Sequence, residues 1–220
     1  TPSWKRITMA DAVKNVTGAD FMAVEGDADA GVMLAKSVGV DMDGVSHTWG
    51  NALYETFDQK VEETLIQPTF ITMYPVEVSP LAKRSPQQPA LTERYEMFIC
   101  GCEMGNAFSE LNDPIDQEMR FKEQMRLSEK GDDEAMIIDH DFLRALQYGM
   151  PPTSGIGIGI DRLTMLMTGQ ETIQEVILFP QMKPEKKMPQ DSIEAWAKIG
   201  VPEEWVYVLR KAGFNLLSDI

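Results

Sequence analysis

Residues 155–162 read Gly155-Ile156-Gly157-Ile158-Gly159-Ile160-Asp161-Arg162, with glycine and isoleucine alternating. Successive side chains of a strand point to opposite faces, so the three glycines make a bare face and the three isoleucines make a face fit for a core. A bare strand face lets a flat group approach the backbone closely. Asp161 is placed to cap a helix that begins at Arg162 and continues through Met167. Arginine's planar guanidinium stacks on rings and binds phosphate. Strand, cap and arginine together suit a purine nucleotide. A glycine strand packed under another backbone fits the same pattern equally well. The common nucleotide motifs do not fit. G-x-G-x-x-G fails because Ile160 and Arg162 stand where its third glycine belongs, and no G-K-[ST] follows a glycine-rich loop.

The chain has 220 residues, 43% hydrophobic and 25% charged, enough for one sizeable globular domain with an appendage. No run approaches the ~18 apolar residues of a membrane span, so no membrane association is expected. The start Thr1-Pro2-Ser3-Trp4 carries no signal-like stretch and reads as part of something longer. Cys100 and Cys102 sit one residue apart in a strand-like run, where a bridge between them would be badly strained. Reduced thiols and a cytoplasmic location follow. His47 and His140 are isolated, which speaks against a histidine metal site. A net charge of -15 repels phosphate backbones, so any main nucleic-acid docking surface is expected elsewhere.

Helices are expected over residues 7–15, 28–38, 51–65, 113–130 and 139–148, and strands over 69–74, 95–100, 104–110, the glycine run and 175–179. Proline-rich residues 79–93 read as loop, and 181–190 as linker. Short helical patterns at 192–198 and 202–211, with a third starting at Gly213, complete a small C-terminal element. The expected fold class is α+β, an antiparallel or mixed sheet with helices packed on it. Domain limits are expected at 1–187 and 188–220.

Glu96, Glu103, Asn106, Phe108 and Glu110 form a second constellation. Carboxylates in apolar strand surroundings are costly unless paired or bound to cations, and hard carboxylates with phosphate oxygens are a usual way to hold Mg²⁺. Glu96 and Glu103 are an odd number of residues apart, so a bulge near Gly101 is needed to bring them to one face. Asn106, Phe108 and Glu110 share a face by parity and make a wall suited to a substrate with a cationic end. Solvent-side residues on a half-exposed sheet would give the same pattern.

The runs Ser79-Pro80-Leu81-Ala82-Lys83, Gly105-Asn106-Ala107-Phe108-Ser109-Glu110-Leu111-Asn112-Asp113 and Gly155–Arg162 together resemble the class II lysyl-tRNA synthetases of bacterial type. The resemblance covers about residues 5–185 and implies a class II catalytic domain truncated on its N-terminal side. It further implies that ATP and L-lysine form lysyl-adenylate and that the lysyl group passes to tRNA(Lys). Glu96 and Glu103 match the family's Mg²⁺ ligands. Arg162 matches the catalytic arginine stacked on adenine near the triphosphate. Gly157 and Gly159 would leave room for ATP, and Asn106, Phe108 and Glu110 match lysine-pocket positions. The family's first two motifs and its anticodon-binding domain would lie upstream of Thr1. The polypeptide alone is therefore expected to be an inactive half-site that dimerises weakly, whereas the resemblance implies a homodimer for the whole protein. Two other readings stay open: a lysyl-transferring paralogue that modifies a protein, and a non-catalytic binding module. The element beyond residue 187 is either a tRNA contact through Arg210 and Lys211 or a helical clasp built on Trp196, Trp205 and Leu209.

Overall fold

A computed structural model of the chain describes residues 4–128, 138–180 and 192–214. It forms two compact units, Thr1–Val176 and Ile177–Ile220. The linker expected at 181–190, the domain boundary expected after residue 187 and most of the third C-terminal pattern lie outside the described residues.

The first unit is built on a sheet of five strands in the order β1 (Lys5–Thr8), β2 (Thr69–Thr72), β3 (Arg94–Ile99), β4 (Cys102–Ser109) and β5 (Ser154–Ile158). β1 pairs parallel with β2, and the remaining pairs are antiparallel, so the sheet is mixed. Helices α1 (Met9–Thr17), α2 (Ala28–Ser37) and α3 (Trp49–Lys60) supply most of the core. The Thr48 hydroxyl caps α3 by accepting from the Asn51 amide at 3.1 Å. Trp49, Ala52, Leu53 and Phe57 repeat at helical spacing and are buried. Burying Leu53 and Phe57 contributes roughly 1.5–3 kcal/mol each. Phe57 meets Phe98 of β3 edge-on at 5.6 Å, which ties the helix to the sheet. The Trp49 indole also donates to the Phe21 carbonyl at 2.9 Å, so its buried N–H is satisfied.

α4 (Pro114–Ser128) pairs with α5 (His140–Gln147), with Phe121 and Phe142 rings 6.2 Å apart. Buried Arg120 anchors α4, donating to the Ser79 carbonyl at 3.1 Å and the Ala82 carbonyl at 2.7 Å. It thereby pins the proline-rich loop against the helix. In the second unit, α7 (Ile193–Lys198) and α8 (Glu203–Lys211) form a helical hairpin turning at Gly200, whose φ of 82° favours glycine. Trp196 and Val206 are buried, whereas Trp205, expected to join a packed clasp, is exposed.

Four expectations need correction. β1 was not foreseen. Residues 175–179 are not a strand: Ile173–Glu175 makes a 3₁₀ turn, and Leu178 and Phe179 are exposed without a strand neighbour among the described residues. Asp161 does not cap α6 (Ile160–Thr168), whose N-cap is Gly159 with no side-chain bond. Asp161 instead sits in the first turn, where its charge still favours the helix N-terminus. Finally, the isoleucine face of β5 enters no core. Ile156 and Ile158 are 58% and 49% exposed, because among the described residues β5 packs chiefly on its neighbour β4 and that face is left uncovered.

Candidate active site

Two backbone irregularities assemble the site. β3 and β4 are joined by a two-residue turn, Cys100-Gly101, with φ of 55° and 71°. Positive φ at both positions matches the turn type whose twist suits a tight hairpin. The turn is held against the segment after α3, where the Cys100 and Gly101 amides donate to the Ile66 and Leu65 carbonyls, both at 3.0 Å. The second irregularity is a register shift. Met97 pairs with Gly105 and Phe98 with Glu103, so Met104 is the extra residue. The bulge expected near Gly101 therefore lies at Met104. Phe98 shares the face of Glu96, and its pairing with Glu103 brings that acid onto the same face. Asn106 is opposite Glu96 and Gly157; Phe108 is opposite Arg94 and Gly155. One face thus carries Glu96, Glu103, Asn106, Phe108 and two glycines.

Glu96 is buried at 7% exposure. Its carboxylate accepts from Arg94 Nη2 at 2.5 Å and from the Tyr74 hydroxyl at 2.7 Å. Burial raises its pKa; Arg94 and Tyr74 oppose that rise, and the nearby Glu103 charge adds to it. Tyr74 reaches this position because Met73, at φ 62°, breaks the alternation of β2. Burial, then Glu96, pushes the neighbouring Tyr54 hydroxyl up to about 12.

Arg94 organises this corner and was missed in the sequence. Its Nη1 donates to the Val78 carbonyl at 2.8 Å and Ser79 Oγ at 3.0 Å, its Nε donates to Asn106 Oδ1 at 3.2 Å, and its guanidinium lies 4.6 Å from the Tyr74 ring centre. The available signal was an arginine two positions from a buried acid on the same strand face. Glu62 was missed as well. Its pKa is raised by burial, then by Asp58, Glu96 and Glu103, while Arg162 opposes the rise. It therefore lies within the field of the acids.

Arg162 Nη1 donates to the Glu103 carbonyl at 2.6 Å and to its carboxylate at 3.2 Å. The Arg162 stem runs close over Gly159: a Cβ there would lie 3.5 Å from it, at ordinary contact distance. Glu103, Asn106, Gly157, Gly159, Asp161 and Arg162 line a cavity of about 370 Å³. Glu96 is not in that lining; it stands behind Asn106, linked to it through Arg94. A Cβ on Gly157 would meet nothing closer than the Asn106 carbonyl at 4.0 Å, so the floor of the cavity is open. Among the described residues no cluster of three or more acids, histidines or cysteines forms a metal cage. Glu96 and Glu103 are two carboxylates on one face. Such a pair could hold Mg²⁺, an ion that keeps several waters and takes substrate phosphate oxygens.

Just past the end of β4, Glu110 is half-buried, and among the described residues no cationic side chain forms an ion pair with it. Its Oε1 lies 2.6 Å from where a Cβ of Gly155 would stand. The acid therefore lies across β5 at one end of a face whose other end holds the Glu103–Arg162 cavity.

A mixed sheet flanked by helices, with an arginine launched from a glycine strand over an acid-bearing hairpin, defines the class: the chain belongs to the tRNA synthetases class II (D, K and N), whose family model matches residues 1–183. A lysine–tRNA ligase of Porphyromonas gingivalis is 57% identical over 99% of this chain and 37% of its own length. The enzyme of that name from Christiangramia forsetii is 53% identical over 99% of the chain and 36% of its own length. The Bacillus subtilis one is 55% identical over 83% of the chain and 36% of its own length. The chain thus spans just over a third of the length of these curated relatives.

Proposed function

We propose that the chain carries the C-terminal portion of the catalytic domain of a lysine–tRNA ligase. The whole protein activates L-lysine with ATP and Mg²⁺ and transfers it to tRNA(Lys). Glu110 carries this reading. The family serves aspartate, lysine and asparagine. A half-buried carboxylate with no cationic partner among the described residues repels an aspartate side chain and leaves an asparagine amide poorly matched, whereas it neutralises an ammonium. Phe108 gives the aliphatic stem an apolar neighbour, and Asn106 gives it a polar one. The relatives' shared name supports the same choice.

The chemistry needs no protein nucleophile. The lysine carboxylate attacks the α-phosphorus, and pyrophosphate leaves. A terminal ribose hydroxyl of the tRNA then attacks the adenylate carbonyl, and AMP leaves. The protein contributes position and charge. Gly157 leaves the floor open for the nucleotide. Arg162, anchored on Glu103, presents its guanidinium plane to adenine and its charge to the phosphates. Glu110 fixes the ammonium, and Arg94 holds Asn106 and Glu96 in place. When bound, Mg²⁺ neutralises the phosphate oxygens, and Glu96 and Glu103 are the residues that would hold it. Homodimerisation, principal tRNA contacts through the rest of the protein and a cytoplasmic location complete the proposal.

The test is amino-acid-dependent ATP–pyrophosphate exchange by the full-length protein. Lysine alone among the three candidate amino acids should support exchange, and Glu110→Gln should reduce kcat/KM for lysine by about 100-fold, the scale of a broken buried charge pair. Exchange driven by aspartate or asparagine would overturn the assignment.

A further inference from the structure

The three glycines of the run 155–159 are alike in sequence and differ in what they face. A Cβ on Gly157 would project into open space, and one on Gly159 would rest on the Arg162 stem at ordinary contact distance. A Cβ on Gly155 would stand 2.6 Å from Glu110 Oε1, with the next nearest atom, Glu110 Cδ, at 3.9 Å. Only at Gly155 does the absent side chain correspond to a carboxylate of the protein itself.

We infer that Gly155 is a specificity-positioning residue: its missing Cβ is the seat on which the Glu110 carboxylate lies to receive the substrate ammonium. Gly157 serves the nucleotide, and Gly155 serves the amino acid. The inference rests on the lysine–tRNA ligase reading and assigns to Gly155 a role distinct from clearing room for ATP. The obstructed atom is the end of a flexible side chain, so a methyl group at 155 displaces the carboxylate without disturbing the backbone. Alanine also removes the conformational freedom that glycine has in the unfolded chain. The variant should therefore fold as well as the parent and recognise its amino acid worse, a combination that simple destabilisation does not produce.

The experiment compares full-length wild type, Gly155→Ala and Gly157→Ala in pyrophosphate exchange, with lysine and ATP varied separately and thermal stability recorded. Displacing a recognition group by about 1 Å costs up to ~100-fold. Gly155→Ala should raise the KM for lysine by about 10- to 100-fold, leave the KM for ATP unchanged and keep its Tm. Gly157→Ala should show the reverse split. An unchanged lysine KM in Gly155→Ala, or equal rises in both KM values, would overturn the inference. A crystal structure of Gly155→Ala provides a readout that does not depend on the substrate. The Glu110 oxygen should move from 2.6 Å to at least 3.4 Å from the new methyl carbon, ordinary contact distance; a carboxylate that stays in place would refute the seat. A wild type that exchanges with a different amino acid, joined to a displaced carboxylate in the variant, would overturn the lysine reading and leave the seat intact.

Discussion

Arg94 and Glu96 stand two residues apart on β3, and the guanidinium Nη2 donates to the carboxylate at 2.5 Å with both side chains largely buried. The same guanidinium holds Asn106, Ser79 and the Val78 carbonyl. A single planar fork therefore fixes the acid, the amide and the loop behind them. Lysine cannot span four acceptors arranged in this way. Arg94→Lys in the full-length protein should reduce exchange kcat/KM by about 100-fold and raise the Mg²⁺ concentration needed for half-maximal rate. Activity and Mg²⁺ dependence equal to wild type would show that Arg94 does not position the site.

Arg162 is different because its side chain is 47% exposed and its partner Glu103 is 34% exposed. An ion pair this open contributes little to stability. Arg162→Ala should leave the denaturation midpoint unchanged and lower kcat for pyrophosphate exchange by about 10²- to 10³-fold, the scale of losing a preorganised charge at a transition state. Loss of stability matching the loss of activity would make the arginine structural.

The site was only partly legible in the sequence, for reasons that trace to particular residues. The period-two glycines announced β5 because alternation is local. The shared face of Glu96 and Glu103 required a bulge, and the bulge lies at Met104, a residue with no turn chemistry to reveal it. Glycine-bearing Cys100-Gly101 attracted the expectation and proved to be the turn instead. β1 is four residues long with two of them exposed, and its partner β2 begins at Thr69, so its pairing is invisible to any local pattern. The run at 175–179 shows the opposite error: its apolar, strand-forming residues have no strand to pair with among the described residues. Arg94 was overlooked because a charged residue at a strand end reads as solvent-facing until the loop that buries it is known.

Cys100 holds a left-handed conformation, φ 55°, in the hairpin turn. That conformation costs a branched or bulky side chain about 1–2 kcal/mol, and asparagine tolerates it well in this turn type. Cys100→Asn should stabilise the protein by about 0.5–1 kcal/mol in urea denaturation. A destabilised variant would mean that the thiol contributes contacts outweighing the strain.

Asp116 joins Arg120 at 2.9 Å and Arg84 at 3.2 Å. Burial works to raise its pKa, but the bonds from the two arginines prevail and hold it below the usual 3.8. A depressed folded value means that the stabilisation is present above pH 3.8 and is lost as pH falls through the lower folded value. Asp116→Asn should cost about 2 kcal/mol at neutral pH, and the gap from wild type should close on acidification below 3.8. A gap independent of pH across that window would remove the carboxylate's charge from the explanation.

The proposal that one sheet face of β3, β4 and β5 is the floor on which lysine meets ATP can be tested by a crystal structure of the full-length protein with a lysyl-sulfamoyl-adenosine analogue. The ammonium should lie on Glu110, the nucleoside over Gly157, and the adenine plane against Arg162. An analogue bound away from this face, or bound on it with its ammonium turned from Glu110, would contradict the proposal.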